Sequence, residues 1–192
     1  RSSDLKVASL TSALSARGMK ESHRTKRLRQ KRNDIIRMFY QRMNNLIIEY
    51  LKEHDINTVV IGRNKGWKQD IRMGSANNQK FAMIPHAKII ADLKYKCQMN
   101  GIACIETEES YTSKASLFDM DALPSCGQAI ILENVFSGRR LKRGLYRTGK
   151  GVLVNADVNG GGNILRKVYP DAFSCTDMKK LLNPVVIKVA AA

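Results

Sequence analysis

The chain has 192 residues, 43% of them apolar, which suffices for one domain of ordinary size with room for a small subdomain. Its 33 lysines and arginines against 17 aspartates and glutamates give a formal net charge of +16, a balance that predicts attraction to phosphate backbones or acidic membranes. Purely apolar runs are as short as Ala129-Ile130-Ile131-Leu132, so a bilayer span is excluded and nucleic acid is the expected partner.

Residues 1 to 16 carry Leu5, Leu10 and Leu14 among Ser, Ala and Thr, the pattern of a weakly amphipathic helix. From Lys20 to Arg42 there are nine basic residues and two acids. Such a run is either a solvated helix face or a phosphate-facing surface, and its density favours the second. It merges into a long helix over 26–53, with Ile35, Phe39, Met43, Leu46 and Tyr50 at three- and four-residue steps that predict a core-facing stripe.

Residues 57–62, NTVVIG, read as a buried strand. The loop 63–78 that follows holds Lys65, Trp67 and Lys68; Trp67 either stacks on a base or plugs a gap in the fold. Pro85 suits a helix first turn, and 84–99 presents Ile90, Leu93 and Cys97 on one face before Gly101 closes the helix.

Ile102-Ala103-Cys104-Ile105 then reads as a buried strand that runs into Glu106, Glu108 and Glu109. Between Ile102 and Ser125 there are five acids and one base, the base being Lys114. Acid gathered at a strand end of a cationic protein suggests a metal site facing a polyanion; the bland alternative is a solvated strand end. Strand alternation would send Glu106 and Glu108 to one face and Glu109 to the other.

Residues 117–155 lack periodicity, are punctuated by Pro and Gly, and gather six Lys or Arg between Ser137 and Lys150, which predicts a basic insertion or a small β-rich subdomain. Val152-Leu153-Val154 suits a short strand and 156–169 a helix. The run Gly160-Gly161-Gly162 costs that helix about 1 kcal/mol per residue relative to Ala, which implies close backbone approach to a sheet or to nucleic acid. Residues 170–192 read as a loosely held tail. Strands alternating with helices give an α/β fold. Cys97, Cys104, Cys126 and Cys175 form no CxxC pair, which fits a reducing cytoplasm and gives neither a disulfide framework nor a zinc site. No apolar signal region opens the sequence.

Five segments fall in an order that has a known counterpart: GRNKGWKQ (62–69), NNQKFAMIPHAKIIADLKYKC (77–97), TEESYTSKAS (107–116), GRRLKRGLYR (138–147) and NADVNGGGNILRK (155–167). Together they resemble the TnpB-type nucleases of bacterial insertion sequences, relatives of type V CRISPR effectors. The resemblance implies an RNase H-like domain of the RuvC kind that cuts DNA chosen by a guide RNA, with magnesium held by three carboxylates. It places one of these at Asp157, for which the bland reading is an N-terminal helix cap. The middle-strand Glu of the family falls at Gly62, which has no side chain, so the TEES segment is the expected substitute, with Glu108 first and Glu109 second. Asp157 and Glu108 are thus the expected metal ligands. Glu109 is expected to be turned away or held by a basic side chain.

The family's first Asp has no counterpart: Arg1 falls just after the strand that would carry it, and Asp4 has a polar, helical setting. The family also carries a zinc ribbon, whose first cysteine pair is replaced here by Ser116 and Asp119 and whose second is missing. Four N or S ligands are needed and Cys126 alone cannot supply them, so no zinc is expected.

The organisation this implies is an incomplete RuvC-like core over 1–109, a degenerate ribbon-like insertion over 110–154, the last RuvC helix over 155–169 and a tail over 170–192. The expected function is part of a magnesium-dependent, RNA-guided DNA endonuclease in the bacterial cytoplasm, without a membrane partner. The alternative is a guide-directed DNA-binding protein that no longer cuts. A basic protein scaffold is a third possibility, but it explains neither the acids nor the motif order. Guide RNA and target DNA would meet Arg24, Lys26, Arg27, Arg29, Lys31, Arg32, Lys65, Trp67, Lys68, Lys114, Arg139, Arg140, Lys142, Arg143 and Arg147.

Overall fold

A computed structural model describes residues 2–63, 85–125, 136–182 and 184–189, with side chains from Lys6 onward. The backbone divides into two units: Arg1–Asp55 with Gln79–Lys96 and Lys188–Ala192, and Ile56–Asn78 with Cys97–Ile187. The expected loop residues Lys65, Trp67 and Lys68, and Cys126, lie outside the described residues.

In the first unit, helix α1 (Ser2–Ser15) packs against helix α2 (His23–Glu53). Helix α2 starts where Ser22 forms a reciprocal cap: its hydroxyl accepts from the Thr25 amide, and its own amide donates to the Thr25 hydroxyl. The helix ends at His54, where Asp55 takes a left-handed φ of 52°.

The buried face of α2 is not the expected one. Ile35, Phe39 and Tyr50 are 46%, 45% and 38% exposed, whereas Tyr40, Asn44, Ile48 and Leu51 are buried. The helix is rotated because a polar anchor fixes its face. Asn44 Nδ2 donates to Ile89 O at 3.1 Å and to Asp92 Oδ2 at 2.8 Å, and Lys96 Nζ donates to Asn45 Oδ1 at 2.7 Å. A buried amide must keep its partners, so these bonds override an apolar stripe that a spacing rule alone selects.

The acceptors belong to helix α3 (His86–Met99), on which Leu93 and Cys97 are buried as expected and Ile90 is half-buried. Burial beside Cys104 pushes the Cys97 thiol up to about 11, so it behaves as a packed apolar group.

The second unit holds two small sheets. Strand β1 (Thr58–Gly62) and strand β2 (Ala103–Thr107) pair in parallel, with Thr58 opposite Ala103 and Gly62 opposite Thr107. The Arg63 amide extends the pairing by donating to Thr107 O at 2.8 Å. Strands β3 (Arg139–Lys142), β4 (Leu145–Arg147) and β5 (Leu153–Asn155) form an antiparallel meander, the β-rich subdomain expected from the glycine punctuation. Helix α4 (Ala156–Val168) follows β5 directly and packs on β1, β2, β4 and β5. The architecture is therefore mixed α/β with small sheets.

Of the three consecutive glycines, only Gly162 is used for close approach within the fold, since a methyl there would collide with the Leu117 side chain. The residues after α4 form turns, a short 3₁₀ turn at Met178–Leu181 and an extended segment. No helix among the described residues is long and apolar enough to cross a membrane.

Candidate functional site

Strand β2 ends at Thr107, so the alternation that separates Glu106 from Glu109 does not reach the two acids of greatest interest. Glu106 lies within the strand and pairs with Arg63, NH1 to Oε2 at 2.8 Å. Beyond the strand end the chain turns, and the next two carboxylates go to different neighbours.

Glu108 is taken by a cation. Lys167, from the last turn of α4, donates its ammonium to Glu108 Oε1 and to Pro124 O, the latter at 2.9 Å. The Ser110 amide donates to Glu108 Oε2 at 2.8 Å. Burial alone would raise the Glu108 carboxyl, but the hydrogen bonds from Lys167 and Ser110 outweigh it and hold the group below the ordinary glutamate value.

Glu109 lies against Gly62. A side-chain carbon built on Gly62 would stand 2.9 Å from Glu109 Oε2, 3.1 Å from Glu109 Cβ and 2.7 Å from Ile164 Cδ1. Glu109 thus fills the space that a side chain at the end of β1 would occupy. The expectation had a basic side chain holding Glu109; the structure places it on Glu108 instead.

Asp157 stands exposed at the second position of α4 and is not the helix cap. That role belongs to Asn155, whose Oδ1 accepts from the amides of Asp157 at 2.8 Å and Val158 at 3.1 Å. The structural explanation for an acid at this position therefore falls away.

The loop between these acids is rigidly pinned to α4. Asn163 Nδ2 donates to Thr112 O at 3.0 Å and to Ala115 O at 2.8 Å. Asn159 Nδ2 donates to Ala115 O, and its Oδ1 accepts from the Leu117 amide. Both asparagines are completely buried. Lys114 projects exposed from this loop, 5.8 Å from the Tyr111 ring centroid, while Tyr146 OH donates to Lys114 O at 2.8 Å. Burial, reinforced by Asp121, pushes the Tyr146 phenol up to about 12 and keeps it a hydrogen-bond donor.

Ser116 and Asp119, at the two expected ribbon positions, are bonded to each other, Oγ to Oδ2 at 2.6 Å. Asp119 Oδ2 also accepts from the Gly149 amide at 2.7 Å. Asp121 accepts from the Ser116 amide at 2.7 Å and from the amide and hydroxyl of Ser137 at 3.0 and 2.7 Å. A serine–aspartate clasp, which spacing and composition did not reveal, thus joins the pinned loop to the meander. The Ser-x-x-Asp-x-Asp spacing over 116–121 is its visible trace. Lys167, 59 residues from Glu108, leaves no such trace.

The basic residues fall in both units. On α2, Arg24, Lys26, Arg27 and Lys31 are exposed, Arg29 is half-buried and paired with Glu21 at 2.7 Å, and Arg32 is half-buried and bonded to Asn33. A groove of about 900 Å³ along this helix combines Arg24, Arg27 and Lys31 with Ile35 and Met38. In the second unit Arg139, Arg140, Lys142 and Arg143 are exposed on the β3–β4 hairpin and Arg147 is half-buried.

Residues 86–164 match the Cas12f1-like, TNB domain family. The chain is a TnpB/Cas12f-type relative. Its backbone resembles a solved structure described as the cryo-EM structure of the Cas12f1–sgRNA–target DNA complex, with a TM-score of 0.52 and 17% sequence identity. The similarity covers 84% of this chain but only 40% of that Cas12f1 chain. No curated protein matches the chain in sequence.

The acids suit a hard divalent cation, since carboxylate oxygens are the ligands magnesium prefers. The TnpB/Cas12f-type relative does not assemble a complete metal cage from its own described residues, however, because no three His, Cys, Asp or Glu side chains are gathered there.

Proposed function

We propose that this TnpB/Cas12f-type relative is part of an RNA-guided DNA endonuclease with an RNase H-like, RuvC-type site, and that Glu109 supplies the carboxylate that Gly62 lacks. The reading rests on one observation above all: Glu109 fills the space beside Gly62 at the end of β1. Asp157, exposed and not used as a cap, is the second carboxylate. A third would have to come from residues outside those described. Magnesium, when bound, would supply water activation and charge neutralisation for phosphodiester hydrolysis. The chain's own contribution is to hold two acids on different elements while the exposed cations of α2 and the β3–β4 hairpin bind guide RNA and target DNA through their phosphates.

Glu108, the first expectation from sequence, is the weaker candidate, because binding a metal would require it to leave Lys167 and the Ser110 amide. Cleavage of a guide-matched target in magnesium by the full-length protein tests the proposal. Glu109→Gln should abolish cutting and leave DNA binding almost unchanged, while Glu108→Gln should cut. If only Glu108→Gln is inactive, the assignment returns to Glu108. Failure of the unmodified protein to cut, with guide-dependent binding intact, would establish the second reading: a binder that has lost its nuclease, which the absence of a carboxylate at Gly62 motivates.

A further inference from the structure

The side chain of Lys167 is only 6% exposed, an unusual position for an ammonium group. Such burial is tolerated when the charge is paired and hydrogen-bonded. Lys167 has both: the Glu108 carboxylate on one side and Pro124 O at 2.9 Å on another. It therefore ties three pieces of chain together, namely the last turn of α4, the exit of β2 and the strand-free segment around Pro124.

The consequence falls on the next residue. With one Glu108 oxygen on Lys167 and the other on the Ser110 amide, the Glu108 side chain is committed. The backbone of Glu109 is held from the following side, because its carbonyl accepts from the Thr112 hydroxyl at 2.9 Å and the Thr112 amide at 3.3 Å. Between these two fixtures, the Glu109 carboxylate lies against Gly62.

We propose that Lys167 is a positioning residue. By capturing Glu108 it decides which of two adjacent carboxylates faces the notch beside Gly62, and it cancels the charge of the other. Without it, Glu108 would be released to repel Glu109 or to compete with it for a cation. This role rests on the reading of Glu109 as a metal-facing acid, and Lys167 itself touches neither metal nor nucleic acid.

The experiment uses the full-length protein and manganese as the probe. Mn²⁺ affinity is followed by electron paramagnetic resonance for wild type, Lys167→Met, Lys167→Arg and Glu109→Gln, with thermal unfolding of each. Lys167→Met is expected to lose roughly 10- to 100-fold in Mn²⁺ affinity, the range for residues that orient a ligand without being one. Lys167→Arg should recover part of that loss, since a guanidinium can still pair with Glu108. In cleavage, kcat should fall while DNA affinity stays the same. If Lys167→Met unfolds, the double variant Glu108→Leu with Lys167→Met removes the uncompensated charge, and the same Mn²⁺ loss is expected from it. Wild-type Mn²⁺ affinity in a folded Lys167→Met protein, with Glu109→Gln impaired, overturns the positioning role alone. Tighter Mn²⁺ binding by Lys167→Met would also overturn it, by showing that Lys167 masks Glu108. Wild-type affinity in Glu109→Gln overturns the parent reading and the positioning role with it.

Discussion

Two acidic clusters flank the pinned loop 110–117, and they are built on opposite principles. Asp119 and Asp121 are surrounded by short-range donors: two serine hydroxyls and the amides of Ser116, Ser137 and Gly149. Their oxygens are consumed in closing the meander onto the loop. At the end of β2, only one of the adjacent glutamates is consumed in this way. Glu108 is absorbed by Lys167 and Ser110, whereas Glu109 lies in a notch that the neighbouring strand leaves by carrying Gly62. An acid whose oxygens all serve the fold is a structural part. An acid held in place by its neighbours and directed into space vacated by another strand is a candidate for chemistry.

The strongest way to break this distinction is to move the carboxylate. Glu109→Ala should abolish magnesium-dependent cleavage by the full-length protein. Adding Gly62→Glu to that variant should restore measurable cutting, because removal of Glu109 clears the space and only the flexible end of Ile164 must shift. Gly62→Glu with Glu109 still present should be poorly active, since both side chains would claim one notch. Cleavage by the Glu109→Ala single variant would rule Glu109 out as the relocated carboxylate.

The clasp should respond in stability instead. Asp121→Ala strands the Ser116 amide, which belongs to a completely buried residue. An orphaned buried donor costs about 1–3 kcal/mol. For a chain of this size each kcal/mol lowers Tm by roughly 2–4 °C. Calorimetry should show that loss for Asp121→Ala in the presence or absence of a zinc chelator, and little change for Glu109→Ala. Equal Tm losses would erase the contrast between the clusters.

Sequence pattern revealed elements better than faces. The strands at Thr58–Gly62 and Ala103–Thr107 and the helices at His86–Met99 and Ala156–Val168 were legible, because β-branched runs and helical spacing are local signals. The buried face of α2 was not, since Asn44 takes its partners from Ile89 and Asp92 far along the chain. The same holds for the acids. Spacing and motif order brought Glu108, Glu109 and Asp157 forward but could not rank the two glutamates, because the ranking depends on Lys167 and on the space beside Gly62. Loss of strand geometry after Thr107 removed the alternation rule where it was needed.

The contrast between committed and available charge extends to the cations of α2. Arg29 is half-buried and paired with Glu21, whereas Arg24, Lys26, Arg27 and Lys31 are exposed. Replacing the four exposed residues with Ala should flatten the salt dependence of nucleic-acid binding. The expected change is up to about 0.9 log units per log unit of salt for each phosphate that is no longer neutralised. Arg29→Ala should change the slope less and stability more. An unchanged slope in the quadruple variant would remove α2 from the interface.

The smallest effect expected is a dependence of stability on acid, and it separates the clasp from the exposed acids. Burial would raise the Asp119 carboxyl, but the Ser116 hydroxyl, the Gly149 amide, Ser137 and Lys150 together bring it below the usual aspartate value. A carboxyl that is more acidic when folded binds protons more readily when unfolded. Its contribution is therefore fully present above the ordinary aspartate pKa of about 3.9 and is lost as pH falls through the lower, folded value. Glu108, lowered through Lys167 and Ser110 against its own burial, has the same sign and fades over the neighbouring acid range. Thermal unfolding between about pH 5 and pH 2 should therefore show a steeper decline in wild type than in Asp119→Asn, whose amide cannot take up the proton. Asp119→Asn should start with a lower Tm at pH 5, having lost charge-assisted acceptance, and the two curves should converge toward pH 2. Parallel curves across that range would mean that Asp119 contributes no proton-linked stability, and the clasp would then rest on Asp121.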